Sequence, residues 1–134
     1  MDLTFCTLFD SNYIDKGITL YKSMERCMPE FKLYVFAFDE KCYEILRLEK
    51  YAHIIPVSLL EFETPELLKV KEERTRVEYC WTCSPWIIKH VLDHYNETIC
   101  TYIDADMEFF SSPQCVFDEM RKRQCSTIIV PHRF

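Results

Sequence analysis

Residues 3–9 read LTFCTLF, seven positions that are all apolar or β-branched. A strand with one wet face alternates polar and apolar side chains. One covered on both faces does not, and two-sided cover is the mark of a parallel sheet. Asp10-Ser11-Asn12 ends the run, and apolar residues then recur at Ile14, Ile18, Tyr21, Met24 and Met28, the spacing of a helix face that Pro29 helps to stop. A second buried strand follows over Leu33–Phe38, closed by Asp39, and then a short helix over Glu40–Lys50. The run IIPVSLL over Ile54–Leu60 reads as a third strand. Pro56 cannot donate to a ladder, which places that strand at an edge or makes it irregular.

Three hydroxyl-proline pairs, Thr64-Pro65, Ser84-Pro85 and Ser112-Pro113, each offer an N-cap oxygen followed by proline at the first helical position. They predict a charged helix from Pro65 to about Arg76, an amphipathic helix opening at Ser84-Pro85 with Ile87, Ile88, Val91, Leu92 and Tyr95 on one face, and a short helix carrying Val116, Phe117 and Met120. ICTYI over Ile99–Ile103 predicts a further strand, and STIIV over Ser126–Val130 another. Strand-helix alternation of this kind implies an α/β fold: a Rossmann-like, mostly parallel sheet with helices on both faces. The chain stops at PHRF, directly after the last expected strand, and reads as one unfinished domain over residues 1–134.

With 134 residues, 49% of them hydrophobic and 28% charged, the chain can build a core and is neither disordered nor membrane-spanning in composition. Its formal net charge of -6 argues against nucleic acid as a partner, because such binders carry a basic field. MDLTF has an acid at Asp2 and no basic stretch before an apolar segment, so no export signal is expected and a cytoplasmic location is the default. Eight cysteines sit mostly inside apolar runs, where a free thiol behaves as a small buried hydrophobe, so reduced cysteines are expected rather than a disulfide framework.

At the end of the ICTYI run stands the acidic stretch TYIDADMEFF, residues 101–110. In an open α/β sheet, ligands gather at the carboxyl ends of the strands. In extended backbone, Asp104 and Asp106 point the same way and share one crevice. At about 5 Å and an effective dielectric of about 20 their charges repel by roughly 3 kcal/mol, which a divalent cation would offset. The plain alternative is a polar turn between strands; the apolar flanks favour the site.

YIDADMEFFSSP resembles the DxD segment of glycosyltransferases of the GT-A fold, the nucleotide-diphospho-sugar transferases. The resemblance extends to the opening FCTLFDSNYIDKGITLYKSM, to EYCWTCSPWIIKHVL before the DxD strand, and to IIVPHRF after it. It implies a donor-binding part that transfers a sugar from a nucleotide-diphosphate sugar, a UDP-sugar first among them, to a carbohydrate or lipid-linked acceptor. A glycolipid acceptor would bring peripheral contact with a membrane. Carried over by position, Asp106 would ligate Mn²⁺ or Mg²⁺ on the diphosphate, and Asp104 would meet ribose or sugar hydroxyls with a share in the metal. Ala105 would lie close to the ribose by its backbone. Thr7, Leu8 and Phe9 would meet the base, and Tyr13 would stack on it. The resemblance leaves the acceptor-side catalytic groups unassigned.

The sequence departs from that pattern in one respect. Many DxD relatives carry a Lys or Arg in the preceding helix, whereas Thr82-Cys83-Ser84-Pro85-Trp86 stands here, with Arg74, Arg76 and Lys89 as the nearby cations. A helix N-terminus at Ser84 would substitute in part, since free amides attract anions. Asp10 either orients the base or caps the first helix, with the cap preferred. Cys80 and Cys83 with His90 and His94 have the residue types of a zinc site, but the gap between Cys83 and His90 is too short for a finger. Other functions remain beside the leading one. A nucleotidyltransferase that makes nucleotide sugars would want a glycine-rich loop after the first strand, where LFDSNYIDKG offers its single glycine late. A DxD phosphatase would want its aspartates on the first strand. A non-catalytic nucleotide- or sugar-binding module would use the same fold.

Overall fold

The first apolar run becomes strand β1, Thr4–Phe9, and the second becomes β2, Lys32–Ala37; they pair in parallel with Thr4 opposite Lys32 and Phe9 opposite Ala37. The computed structural model describes residues 3–131; Asp2 of the opening segment and the last three residues of IIVPHRF lie outside them. Strand β3, Ile54–Ser58, flanks β2, and the two-residue β4, Thr101–Tyr102, flanks β1 on its other side. All pairings are parallel, in the order β3-β2-β1-β4. Pro56 lies on the edge strand β3, where a missing donor is tolerated.

Helices cover both faces. Phe5 and Phe9 of β1 and Leu33, Val35 and Ala37 of β2 pack with Leu20, Tyr21 and Met24 of α1, Ile14–Cys27, and with Cys42 and Leu46 of α2, Glu40–Glu49. The intervening positions Cys6, Tyr34 and Phe36 point the other way. They meet Phe62 of α3, Leu59–Phe62, Leu67 of α4, Pro65–Glu72, and Cys83, Ile87 and Val91 of α5, Arg76–His94. The last helix, α6, is Gln114–Arg123; Phe117 from it and Phe109 before it meet Phe5 edge-on.

Gly17 is the chain's single glycine, and its position has a steric reason. A Cβ there would stand 2.3 Å from Cε1 of Phe9, so α1 can lie this close to β1 only with hydrogen at that site.

Several expected boundaries move. Ser84-Pro85 opens no helix: α5 begins nine residues earlier, where Thr75 and Glu78 form a complete capping box, with the Thr75 N–H donating to Glu78 Oε2 at 2.9 Å. Pro85 lies inside that helix, where its missing N–H leaves the Trp81 carbonyl without its helical donor. The charged helix stops at Glu72 rather than running to Arg76. Thr64-Pro65 does start a helix, with Thr64 Oγ1 accepting from Leu67 N. At Ser112-Pro113 the helix begins one residue later than expected, at Gln114. Leu59 and Leu60 leave the third strand and form α3, capped by the Ser58 hydroxyl. Of Ile99–Ile103 only Thr101 and Tyr102 join the ladder, and STIIV forms no strand, with Ile129 and Val130 exposed. β-propensity cannot make a strand where no edge is in register to receive it. All eight cysteines are free thiols. Among the described residues no helix is long and apolar enough to cross a membrane.

Candidate functional site

Along the chain the sheet grows from β1 to β2 to β3, then returns to place β4 against the far side of β1. Chain direction across the sheet therefore reverses between β1 and β4, and the connections leaving those strands diverge. Such a reversal opens a crevice at the carboxyl ends of the strands. A cleft of about 510 Å³ lies there, walled by the end of β1 and its following loop, by one side of α5, and by the segment after β4.

The β1 wall consists of Leu8, Phe9, Asp10, Asn12 and Tyr13. Asp10 does not cap α1, whose N-cap position is Tyr13 with no side-chain bond. Its Oδ1 accepts from Asn12 N at 2.9 Å, folding the loop locally, while Oδ2 accepts from Nε of Arg76 at 3.1 Å and from Nη2 as well. The loop is also tied to the next crossover. Asp39 caps α2 through Cys42 N and accepts from both the N–H and the hydroxyl of Ser11. Burial pushes the Asp39 carboxyl up, but the Ser11 and Cys42 amides, the Ser11 hydroxyl and the Arg76 charge outweigh it and hold the group below the usual carboxylate range.

The α5 wall presents Arg76, Val77, Cys80, Trp81 and Ser84, one strip of the helix from its first turn onward. The opposite strip, Tyr79, Cys83, Ile87, His90 and Val91, is buried. Cys80 and Cys83 thus face different surroundings, and burial pushes both thiols up, Cys83 to about 11, so neither is held as a thiolate. His90 packs edge-on against Phe36 and Phe62 and stacks on His94. Among the described residues no group of three or more His, Cys, Asp or Glu is arranged to hold a metal by itself.

The third wall is Tyr102, Asp104, Ala105 and Asp106. The strand ends at Tyr102 and Asp106 lies in a turn, contrary to the expectation from strand alternation. Met107 N donates to Asp104 O at 3.2 Å, closing a turn. Both aspartates line one cleft, with Ala105 between them 9% exposed and part of the core cluster that includes α1 residues. Asp104 accepts from the Tyr102 hydroxyl at 2.8 Å. Burial, then the Asp104 carboxylate, push the Tyr102 phenol up to about 12 despite an opposing bond with Ser84, so it remains a donor at neutral pH. The chain beyond is pinned to α1: the buried Ser23 hydroxyl accepts from Phe109 N at 2.9 Å and donates to Leu20 O, and Arg26 pairs with Glu108 at 2.8 Å.

The cleft lining therefore carries three carboxylates, Asp10, Asp104 and Asp106, against the guanidinium of Arg76, which is committed to Asp10. Among the described residues neither Asp104 nor Asp106 has an ion-pair partner, which leaves two hard oxygen ligands facing the same space.

No family model matches the chain. It is similar to two Bacillus subtilis (strain 168) proteins, both named as uncharacterized. One is YfnD, 37% identical over 116 residues that make up 86% of this chain and 37% of YfnD. The other is YfnF, 31% identical over 132 residues, 96% of this chain and 42% of YfnF. The chain spans about two fifths of the length of these curated relatives.

Of the residues singled out from sequence, Leu8, Phe9, Tyr13, Asp104, Ala105 and Asp106 meet around this one cleft. Thr7 does not: it is fully buried and does not line the cleft, and its hydroxyl has no hydrogen-bond partner. Lys89 pairs with Asp93, and Arg74 bonds the Thr82 hydroxyl; neither lines the cleft. No free helix N-terminus exists at Ser84 to attract an anion. Sequence reading underrated Arg76 and missed Trp81 as wall residues. The signal that would have found them is Thr75-x-x-Glu78, a capping box that starts the helix at Arg76 and turns both side chains to one side.

Proposed function

We propose that this chain carries the donor-binding part of a glycosyltransferase of the GT-A fold, which moves a sugar from a nucleotide-diphosphate sugar, UDP-linked by preference, to a carbohydrate or lipid-linked acceptor. The observation that carries the reading is the joint position of Asp104 and Asp106. Both stand at the reversal point of a parallel sheet, in one cleft with Tyr13, and among the described residues neither has an ion-pair partner.

The donor set suits a hard divalent cation such as Mn²⁺ or Mg²⁺. Such ions are bound through one or two carboxylates and take their remaining ligands from phosphates and water. Asp106 and Asp104 would hold it, with Tyr102 fixing the rotamer of Asp104 through its hydroxyl. When bound, the ion supplies Lewis-acid stabilisation of the departing nucleoside diphosphate. The backbones of Leu8, Phe9 and Ala105 offer close approach to base and ribose, and Tyr13 offers a ring for stacking. Arg76, in the first turn of α5, lines the cleft but is paired with Asp10, so the carboxylate-bound cation is left to meet the diphosphate.

Titration of the full-length protein with UDP, GDP and CMP, with and without Mn²⁺, tests this. UDP should bind only with the metal, and Asp106→Ala should remove that binding while leaving the fold intact. Unchanged nucleotide affinity in Asp106→Ala, or wild-type binding indifferent to Mn²⁺, would refute the assignment. Metal-dependent UDP binding with neither transfer nor donor hydrolysis over a panel of acceptors would instead favour a non-catalytic binding module.

A further inference from the structure

Helix α5 turns two large apolar side chains toward the cleft: Val77, 56% exposed, and Trp81 one turn later, 71% exposed. Neither lies on the buried strip of the helix, and no ring among the described residues stacks on Trp81. A solvated helix face normally carries charged or polar residues, and a large apolar pair at the rim of a concave site marks a contact waiting for a partner. On the β1 wall, Tyr13 is 48% exposed, and the Lys16 ammonium lies 4.4 Å from its ring centroid. The Arg76–Asp10 pair clips the start of α5 to the loop that carries Tyr13. Tyr13 and Trp81 thus line the same cleft from its β1 and α5 walls, and the aspartates line it from the β4 side.

We propose that Trp81 is a second aromatic wall of the cleft, stacking on the nucleobase that Tyr13 meets from the β1 side. The inference rests on the proposed nucleotide-sugar reading and adds to it the residue that gives the base its binding energy. Indole stacking recognises the π-face common to all bases, so Trp81 strengthens binding without selecting the base.

The test is calorimetric titration of the full-length protein, with Mn²⁺ present, using UDP, UDP-glucose and inorganic pyrophosphate as three probes. Trp81→Ala should weaken UDP and UDP-glucose alike by roughly 5- to 100-fold and leave pyrophosphate unchanged. Trp81→Phe should recover most of the loss. In a Trp86→Phe background, emission from Trp81 should be quenched by UDP and not by pyrophosphate. The inference is overturned if Trp81→Ala binds UDP as wild type does, if it loses pyrophosphate equally, or if it loses only UDP-glucose, which would assign the indole to the sugar. Each of these leaves metal-dependent nucleotide binding by the wild type standing. Failure of the wild type to bind UDP with Mn²⁺ would sink the nucleotide reading itself, and this inference with it.

Discussion

Replacing Gly17 by alanine puts one methyl group where the structure has a phenyl ring. The added Cβ would lie 2.3 Å from Cε1, 2.4 Å from Cζ and 2.8 Å from Cδ1 of Phe9. Carbon atoms in contact rest about 3.5–4.0 Å apart, so the ring must retreat by about 1 Å or the helix must lift by as much. Neither movement is free. Phe9 is 4% exposed and packed within the cluster that includes Leu20, Met24 and Ile103. Forcing extra volume into such a core costs about 1–3 kcal/mol, and an overlap with three ring atoms belongs at the upper end. Against this, alanine gains about 1 kcal/mol over glycine in a helix interior. The expected net is about 2 kcal/mol of destabilisation, read as a fall of about 1 M in the urea midpoint at unchanged slope. The effect reaches the cleft, because the Phe9 carbonyl accepts from Phe38 N at 2.9 Å and Phe9 lines the β1 wall. Phe9→Leu on top of Gly17→Ala should restore part of the loss, giving a coupling of at least about 1 kcal/mol in the double-mutant cycle. A Gly17→Ala protein as stable as wild type, or more so, would refute the reasoning, since it would mean that the ring has room to move.

Two further predictions concern the helix that walls the cleft. Thr75→Ala removes the side-chain acceptor of the capping box and should cost about 1 kcal/mol in denaturant unfolding; Thr75→Ser should recover most of it. His90 sits against Phe36 and Phe62, and burial, with the neighbouring His94, lowers its pKa although the Glu61 carboxylate opposes the shift. A depressed folded value means that the unfolded chain takes up the proton first. This contribution to stability is therefore whole above pH 6.5, the ordinary value, and is lost as pH falls through the lower folded one. Thermal midpoints from pH 7.5 to 5 should fall more steeply in wild type than in His90→Gln, and equal slopes would show that His90 is not the group responsible.

The strands were readable because a parallel sheet buried on both faces writes itself as unbroken apolar runs. Leu3–Phe9 and Leu33–Phe38 needed no knowledge of their neighbours. The site was partly readable for a similar reason: Asp104 and Asp106 follow a strand directly, and strand ends are where crevices form. Errors arose where local signals competed. Ser84-Pro85 looks like a helix start, yet Thr75 and Glu78 nucleate the helix sooner, and the apolar strip from Tyr79 to Val91 holds it against the sheet across the proline. STIIV has the composition of a strand, but a strand is a relation between two segments and composition supplies only one.

By itself the sequence determined the two central strands, the helices after β1 and β2, and that a carboxylate pair follows a later strand, because burial and capping act over a few neighbouring residues. Only the tertiary structure decided that β4 returns to the far side of β1, that Asp10 captures Arg76 across 66 positions of chain, and that Trp81 stands over the same hollow as Tyr13. The physical reason is that these outcomes depend on the order in which strands are laid side by side. That order is set by the packing of all the helices together and by no single stretch of residues.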